Sequence, residues 1–175
     1  REIAKIFLEV VIAPGMSKGA LEILRGKKNL RVIDASLLAK KKNFEGKTVL
    51  GGLLWQNSDA GLAPQFEVKS KRMPSGAERK DLEFAMAVAK HVKSNAIVLA
   101  KGLQTIGLCG GQPNRVDCIR IAAERAKRGG FDTKGSAMAS DAFFPFNDSV
   151  ISAAELGVTS IIQPGGSIRD ADSIS

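Results

Sequence analysis

One histidine and two cysteines are the only imidazole and thiol donors that this 175-residue chain offers a metal. Cys109 and Cys118 form no CxxC pair, and His91 is distant from both in sequence, so no metal site is expected. The same scarcity bears on catalysis: with one histidine, no Ser-His-Asp order and no Cys-His pair presents itself. Lys90 and His91 adjoin and would suit general acid–base work. However, Phe84, Val88 and His91 share a helix flank, and a histidine near a helix C-terminus is stabilised there without catalysis. His91 therefore reads as structural, and no catalytic residue is assigned. No apolar run approaches the roughly 20 residues that cross a bilayer, so no membrane-spanning helix is expected. Residues 1–14 carry Glu2 and Glu9 inside the apolar stretch and no small-residue cleavage site, and they read as a core strand rather than a signal peptide. Two free thiols in a reducing, cytoplasmic setting complete that expectation.

Positive charge, in contrast, is in excess. Net charge is +8, from 26 Lys and Arg against 18 Asp and Glu. It clusters at Lys27-Lys28, Lys40–Lys42, Lys69–Arg72 and Arg120–Arg128. Aromatics do not interleave with these clusters and no nucleic-acid motif accompanies them, so they read as solvated faces or as a site for a small anion. Apolar and charged contents of 44% and 25% are ordinary for a globular protein, and the length suits one domain or two small layered lobes.

Strands are expected over 6–13, 30–35, 47–59 and 65–71, with Gly51-Gly52 interrupting the third as a bulge or close backbone approach. Ser17 is placed to cap a helix to about Arg25, with Leu21 and Leu24 inward. A longer helix starts at Pro74-Ser75 and runs to about Val92, with Leu82, Ala85, Met86, Ala89 and Val92 on one face. Strands at 95–101 and 104–110 join through a tight turn at Gly102-Leu103. A helix follows from Pro113 to Gly129-Gly130, then a strand at 136–140, a helix at 148–157, a strand at 158–164 and the opening of a helix at 169–175. This alternation predicts an α/β layered sandwich. The first strand begins almost at once and the final helix is barely opened, so the chain reads as a piece of something longer.

Two junctions share a strand, a glycine-rich turn and a helix start: Cys109-Gly110-Gly111-Gln112-Pro113-Asn114-Arg115 and Gln163-Pro164-Gly165-Gly166-Ser167-Ile168-Arg169-Asp170. Glycines let a ligand approach the backbone, and each arginine could grip a carboxylate or phosphate with two hydrogen bonds. They are equally readable as tight turns with solvent-facing arginines. Between them lies "SDAFFPFNDSV", which concentrates Phe143, Phe144 and Phe146 of only eight phenylalanines around Pro145. It is either a hydrophobic plug or the wall of a pocket for a flat ligand. Asn95 could read the donor and acceptor edges of a ligand or serve as a turn residue. Asp141 and Asp148 flank the aromatic cluster. Asp148 falls in a first helical turn, which favours a carboxylate with or without a ligand.

The segments "VKSNAIVLAK", "GGQPNRVDCIRIA", "SDAFFPFNDSV" and "IIQPGGSIRD" resemble, in order and spacing, the transformylase region of the AICAR transformylase/IMP cyclohydrolase family. The resemblance runs over nearly the whole chain. It implies formyl transfer from 10-formyltetrahydrofolate to the AICAR nucleotide in purine synthesis. It also implies a fold of two zinc-free, cytidine-deaminase-like three-layer α/β/α lobes, and a homodimer with sites at the subunit interface. Residues 1–74 would belong to the first or connecting portion and about 75–175 to the second lobe. By motif, Asn95, Arg115 and Phe143 resemble AICAR contacts; Val116, Asp148, Ser167 and Ile168 resemble folate contacts. Three departures accompany this. The family's catalytic lysine–histidine pair sits in a KHV-x-P motif, whereas Lys90-His91-Val92 continues into Lys93-Ser94-Asn95, so the pair is expected upstream of Arg1. The cyclohydrolase domain and a C-terminal tail with another nucleotide-binding arginine are expected to lie outside the chain. Pro113 stands in a turn whose commoner form is "IGAGQMS", and removes a backbone donor there. A non-catalytic nucleotide- or folate-binding module and a nucleic-acid-binding protein are the rival readings.

Overall fold

The computed structural model describes residues 1–38, 44–59, 61 and 66–174. It divides into two compact units, Arg1–Ala60 and Gly61–Ser175.

In the first unit, strand β1 (Val10–Ala13) pairs in parallel with β2 (Arg31–Asp34) across helix α1 (Lys18–Arg25). The strand expected over 6–13 is shorter because its ladder is only as long as β2. A 3-10 turn occupies Glu2–Lys5, and Lys27 Nζ takes the Ile6 carbonyl at 2.6 Å. Helix α1 follows expectation: the Ser17 hydroxyl accepts from the Ala20 N–H at 3.2 Å, Leu24 is buried and Leu21 half-buried. The single interrupted strand expected over 47–59 is instead a hairpin. Strands β3 (Phe44–Val49) and β4 (Gly52–Asn57) pair antiparallel, with Val49 opposite Gly52. Leu50 and Gly51 form the two-residue connection, and Gly51 adopts φ +80°, which only glycine reaches easily. Of the lysine cluster at 40–42 nothing is described.

In the second unit, Gln65 lies outside the described residues and Phe66–Lys69 form no strand. The alternation there is real, but a strand also needs a partner ladder for its N–H and C=O groups. Phe66 instead packs beside helix α2 (Gly76–Ala89), under the Arg79 guanidinium at 5.1 Å. Ser75 and Glu78 close a reciprocal capping box at the start of α2. The Arg72 guanidinium binds the Glu78 carboxylate with two bonds of 2.9 Å and donates to the Thr159 carbonyl at 2.6 Å. Hydrogen bonds from Arg72, then from the Ser75 N–H, hold the Glu78 carboxyl well below the usual carboxylate range.

A four-stranded sheet follows, ordered β6-β5-β7-β8: β5 (Ile97–Ala100), β6 (Thr105–Cys109), β7 (Ala137–Ser140) and β8 (Ser160–Ile162). β5 is antiparallel to β6 and β7, and β7 is parallel to β8. Side chains alternate between the faces. Ile97, Leu99 and Met138 pack with Cys118, Ile119 and Ala122 of helix α3 (Arg115–Arg128) and with Ala153 of helix α4 (Asp148–Glu155). Val98, Ala100, Ala137 and Ala139 pack with Leu82, Ala85 and Ala89 of α2. The unit is thus a three-layer α/β/α sandwich, the expected class, with a short helix α5 (Asp170–Ile174) after β8. Gly107 sets the spacing of one layer. A Cβ there would lie 2.2 Å from the Ala122 carbonyl oxygen, so any side chain would push α3 off β6.

The β5–β6 hairpin turns at Gly102 (φ +62°) and Leu103 (φ +58°), as expected. A left-handed leucine costs about 1 kcal/mol, and the structure holds it with a buried acid. Both carboxylate oxygens of Asp81 accept backbone N–H bonds, from Gly102 at 2.9 Å and Leu103 at 2.7 Å. Asp81→Ala is expected to destabilise by about 2 kcal/mol, measured by urea denaturation. A loss indistinguishable from zero would show that the turn holds itself.

Candidate functional site

The C-terminal ends of β6, β7 and β8 and the N-terminal end of β5 meet at one edge of the sheet, where open α/β sheets bind ligands. Four chain segments converge there: 92–96, 110–115, 141–147 and 163–169.

Asn95 spans the first two. Its Nδ2 donates to the carbonyls of Gln112 at 2.9 Å and Pro113 at 3.0 Å. Pro113 brings no N–H to this turn, but its carbonyl becomes part of the clasp. Gly110 makes the contact possible: a Cβ there would meet Val92 Cγ1 at 2.3 Å and the Lys93 carbonyl at 2.8 Å. The Gly111 N–H donates to that same carbonyl at 2.7 Å.

Arg115 opens α3, after Asn114 caps the helix with its side-chain oxygen on the Asp117 N–H at 2.8 Å. Its guanidinium donates from Nη2 to Asp141 Oδ1 at 3.1 Å and from Nη1 to the Phe143 carbonyl at 3.3 Å. Both side chains are largely sequestered, Arg115 at 10% and Asp141 at 15% exposure, and Arg115 Nε is buried without a partner among the described residues. The arginine is therefore a paired, pre-oriented group rather than a free arm. Asp141 also accepts from the Ala96 N–H at 2.7 Å, joining β5 to the β7 loop. Burial opposes its charge, but bonds from the Ser94 hydroxyl, the Ala96 N–H and Arg115 outweigh that and hold the carboxyl below its ordinary value. A carboxyl so depressed stabilises the fold above the unfolded value of about 3.9, and that contribution disappears as pH falls through the folded value. Wild type and Asp141→Asn are accordingly expected to differ in stability at pH 7 and to converge toward pH 3. Parallel curves across that range would refute the linkage.

The aromatic corner divides into two roles. Phe144 is buried at 1% exposure, while Phe143 and Phe146 stand open at 42% and 51%. The Phe144 N–H donates to Gln163 Oε1 at 2.9 Å, tying this loop to the one after β8. There the Ser167 hydroxyl accepts from the Arg169 N–H at 3.1 Å, Ile168 is fully exposed, and the Arg169 guanidinium lies 5.0 Å from the centre of the Phe146 ring.

Residues 1–125 match the model of the AICARFT/IMPCHase bienzyme family. The chain belongs to this family. Three relatives bear the name bifunctional purine biosynthesis protein PurH. That of Acetivibrio thermocellus is 52% identical over 99% of this chain and 34% of its own length. Those of Caldicellulosiruptor bescii and Aquifex aeolicus are 51% and 48% identical, each over 99% of this chain and 34% of their own length. The chain spans about a third of the length of these curated relatives.

In this member of the bienzyme family, the structure joins Asn95, Arg115 and Phe143 in one network through Asp141 and the 110–113 turn. Ser167 and Ile168 lie on the adjoining loop. Val116 and Asp148 occupy the first turns of α3 and α4, and no side-chain hydrogen bond joins either to the network; Asp148 Oδ1 accepts from the Ser149 N–H at 2.7 Å. Two organising residues, Asp141 and Gln163, were noted in the sequence only as a flank of the aromatic cluster and as the first residue of the second junction, with no role assigned to either. Each is a polar residue immediately after a strand, the one signal that could have found them. Lys90 Nζ donates to the Gly61 carbonyl at 2.9 Å, and His91 is exposed beyond the end of α2. Among the described residues, no group of three or more His, Cys, Asp or Glu could hold a metal, and no helix is long and apolar enough to cross a membrane. Cys109 and Cys118 are buried, free thiols. Burial, then the neighbouring Cys109, pushes the Cys118 thiol up to about 12, which leaves it a core group donating to the Asn95 carbonyl at 3.3 Å.

Proposed function

We infer that this chain is part of a phosphoribosylaminoimidazolecarboxamide formyltransferase, which moves a formyl group from 10-formyltetrahydrofolate to AICAR in purine (IMP) biosynthesis. One observation carries the reading: in a chain of this family, the Asn95–Arg115–Phe143 network forms at the sheet edge beside two exposed aromatic rings. The residues suit the two ligands. Asn95 Oδ1 is free to accept from the nucleotide, with its Nδ2 fixed by the turn. Arg115 supplies positive charge whose position Asp141 fixes, and the open faces of Phe143 and Phe146 suit flat heterocycles. The resemblance assigns the folate contacts to Val116 and Asp148, in the first turns of α3 and α4, and to Ser167 and Ile168 on the loop after β8.

In the parent reaction the AICAR amine attacks the formyl carbon. A histidine takes the amine proton and a lysine stabilises the developing oxyanion. That pair belongs to sequence upstream of Arg1, and this chain orients both substrates without supplying the base. The second unit serves as the cytidine-deaminase-like second lobe, from about residue 75, and the enzyme works in the cytoplasm as a homodimer with its sites at the subunit interface.

The test compares formyl transfer by the chain alone, by its His91→Ala variant, and by the complete polypeptide to which it belongs. No turnover from the folded chain, with turnover in the complete polypeptide that falls at least about tenfold in Asn95→Ala, supports the reading. Turnover by the chain alone that His91→Ala abolishes would overturn the placement of the base. Nucleotide and folate binding without turnover in the complete polypeptide would identify a binding module instead.

A further inference from the structure

Beside the site, a basic side chain is oriented without an acidic partner among the described residues. Arg169 is exposed in the loop after β8, its guanidinium carbon 5.0 Å from the centre of the Phe146 ring. Five other arginines, Arg72, Arg79, Arg115, Arg120 and Arg128, each reach a carboxylate. Arg169 makes no ion pair among the described residues. Its neighbour Asp170 is turned to the loop backbone, one oxygen accepting from the Gly166 N–H at 2.8 Å. An aromatic face fixes the plane of a guanidinium but takes up none of its N–H groups. Arg169 is thus held in place with its donor fork unused among the described residues, the state in which a guanidinium receives a carboxylate through two parallel bonds. Beside it, Ile168 is fully exposed and Phe146 is half-exposed, a small apolar surface that an aryl ring would cover.

We propose that Arg169 is the carboxylate-binding residue for the folate co-substrate. It takes a carboxylate of the glutamate tail while the aminobenzoyl ring lies against Phe146 and Ile168. This rests on the formyltransferase reading above. The nucleotide phosphate is the competing anion. The loop position favours the carboxylate, because Arg169 follows directly on Ser167 and Ile168, whereas Asn95 and Arg115 are gathered around Asp141 on the other loops.

The test uses calorimetric binding to the complete polypeptide with three probes: 10-formylfolate, the same molecule with both glutamate carboxylates converted to amides, and AICAR. Arg169→Met, which keeps apolar contact with Phe146 and removes the fork, is expected to weaken 10-formylfolate about ten- to a hundredfold. The bis-amide and AICAR should bind as they do to wild type. In turnover, KM for the folate rises and kcat holds. Arg169→Lys should recover part of the loss as a point charge without the fork. Equal weakening of 10-formylfolate and its bis-amide would reduce Arg169 to a structural role and overturn the proposal, as would a loss confined to AICAR. Wild-type protein that fails to bind 10-formylfolate at all would take the formyltransferase reading down with it. Good wild-type binding that Arg169→Met leaves unchanged would sink this residue's role alone.

Discussion

Truncation of Phe144 to alanine is expected to cost about 3–5 kcal/mol of stability. Phe144 heads the fully buried side chains and joins the cluster of Ile97, Leu99, Met138 and Ala153 between sheet and helices. Its removal leaves a cavity lined by a rigid sheet face, which has little freedom to collapse. The same change at Phe143 or Phe146, at 42% and 51% exposure, removes far less buried surface and should cost under about 1 kcal/mol. Domains of ordinary stability hold about 5–15 kcal/mol in all, so the three variants should separate clearly in urea denaturation. Phe144→Ala no worse than Phe146→Ala would mean that the corner is not anchored in the core. The aromatic concentration thus serves two ends within four residues: one ring pins the loop, and its neighbours on either side of Pro145 are presented outward.

Arg115→Ala is expected to cost about 3 kcal/mol and to weaken AICAR binding by about a hundredfold or more. The stability loss comes less from the missing bond than from what it leaves behind, a carboxylate at 15% exposure with its cation gone. Asp141→Asn in the same background should return part of the stability, because the amide oxygen still accepts from Ala96 and no unpaired charge remains. It should not return nucleotide affinity. Equilibrium denaturation of the two single variants and the double variant, with calorimetry on AICAR, measures both effects. A double variant no more stable than Arg115→Ala would show that the pair is uncoupled.

Helix starts were legible in the sequence because a cap is a local event. Ser17 accepts the N–H three residues on as expected, and at the two other expected starts Ser75 and Asn114 do the same. The β5–β6 hairpin was legible through Gly102. The strand at 65–71 and the full length of the strand at 6–13 were misread for one reason: alternation records which faces a segment would present, not whether a partner ladder exists. At the site, Asn95 was noted at the opening of a strand, Arg115 in a glycine-rich turn before a helix and Phe143 in the aromatic corner, and the family resemblance grouped the three as nucleotide contacts. Their connection was not readable, because it passes through Asp141, 26 residues from Arg115 and 45 from Ala96. Asp148 drew attention by its place in a first helical turn, while Asp141, on the other side of the aromatic cluster, holds the network.

Strand β5 has a consequence for motion. All four of its residues are fully buried, with ladders on both sides. Its amide protons should therefore exchange with solvent only when the whole second unit opens, hours after those of β3 and β4, whose residues are all exposed. Asn95 sits two residues from that slowest strand. Any rearrangement at the sheet edge is therefore expected in the loops after β6, β7 and β8, with Asn95 and the backbone that follows it as the side that stays in place.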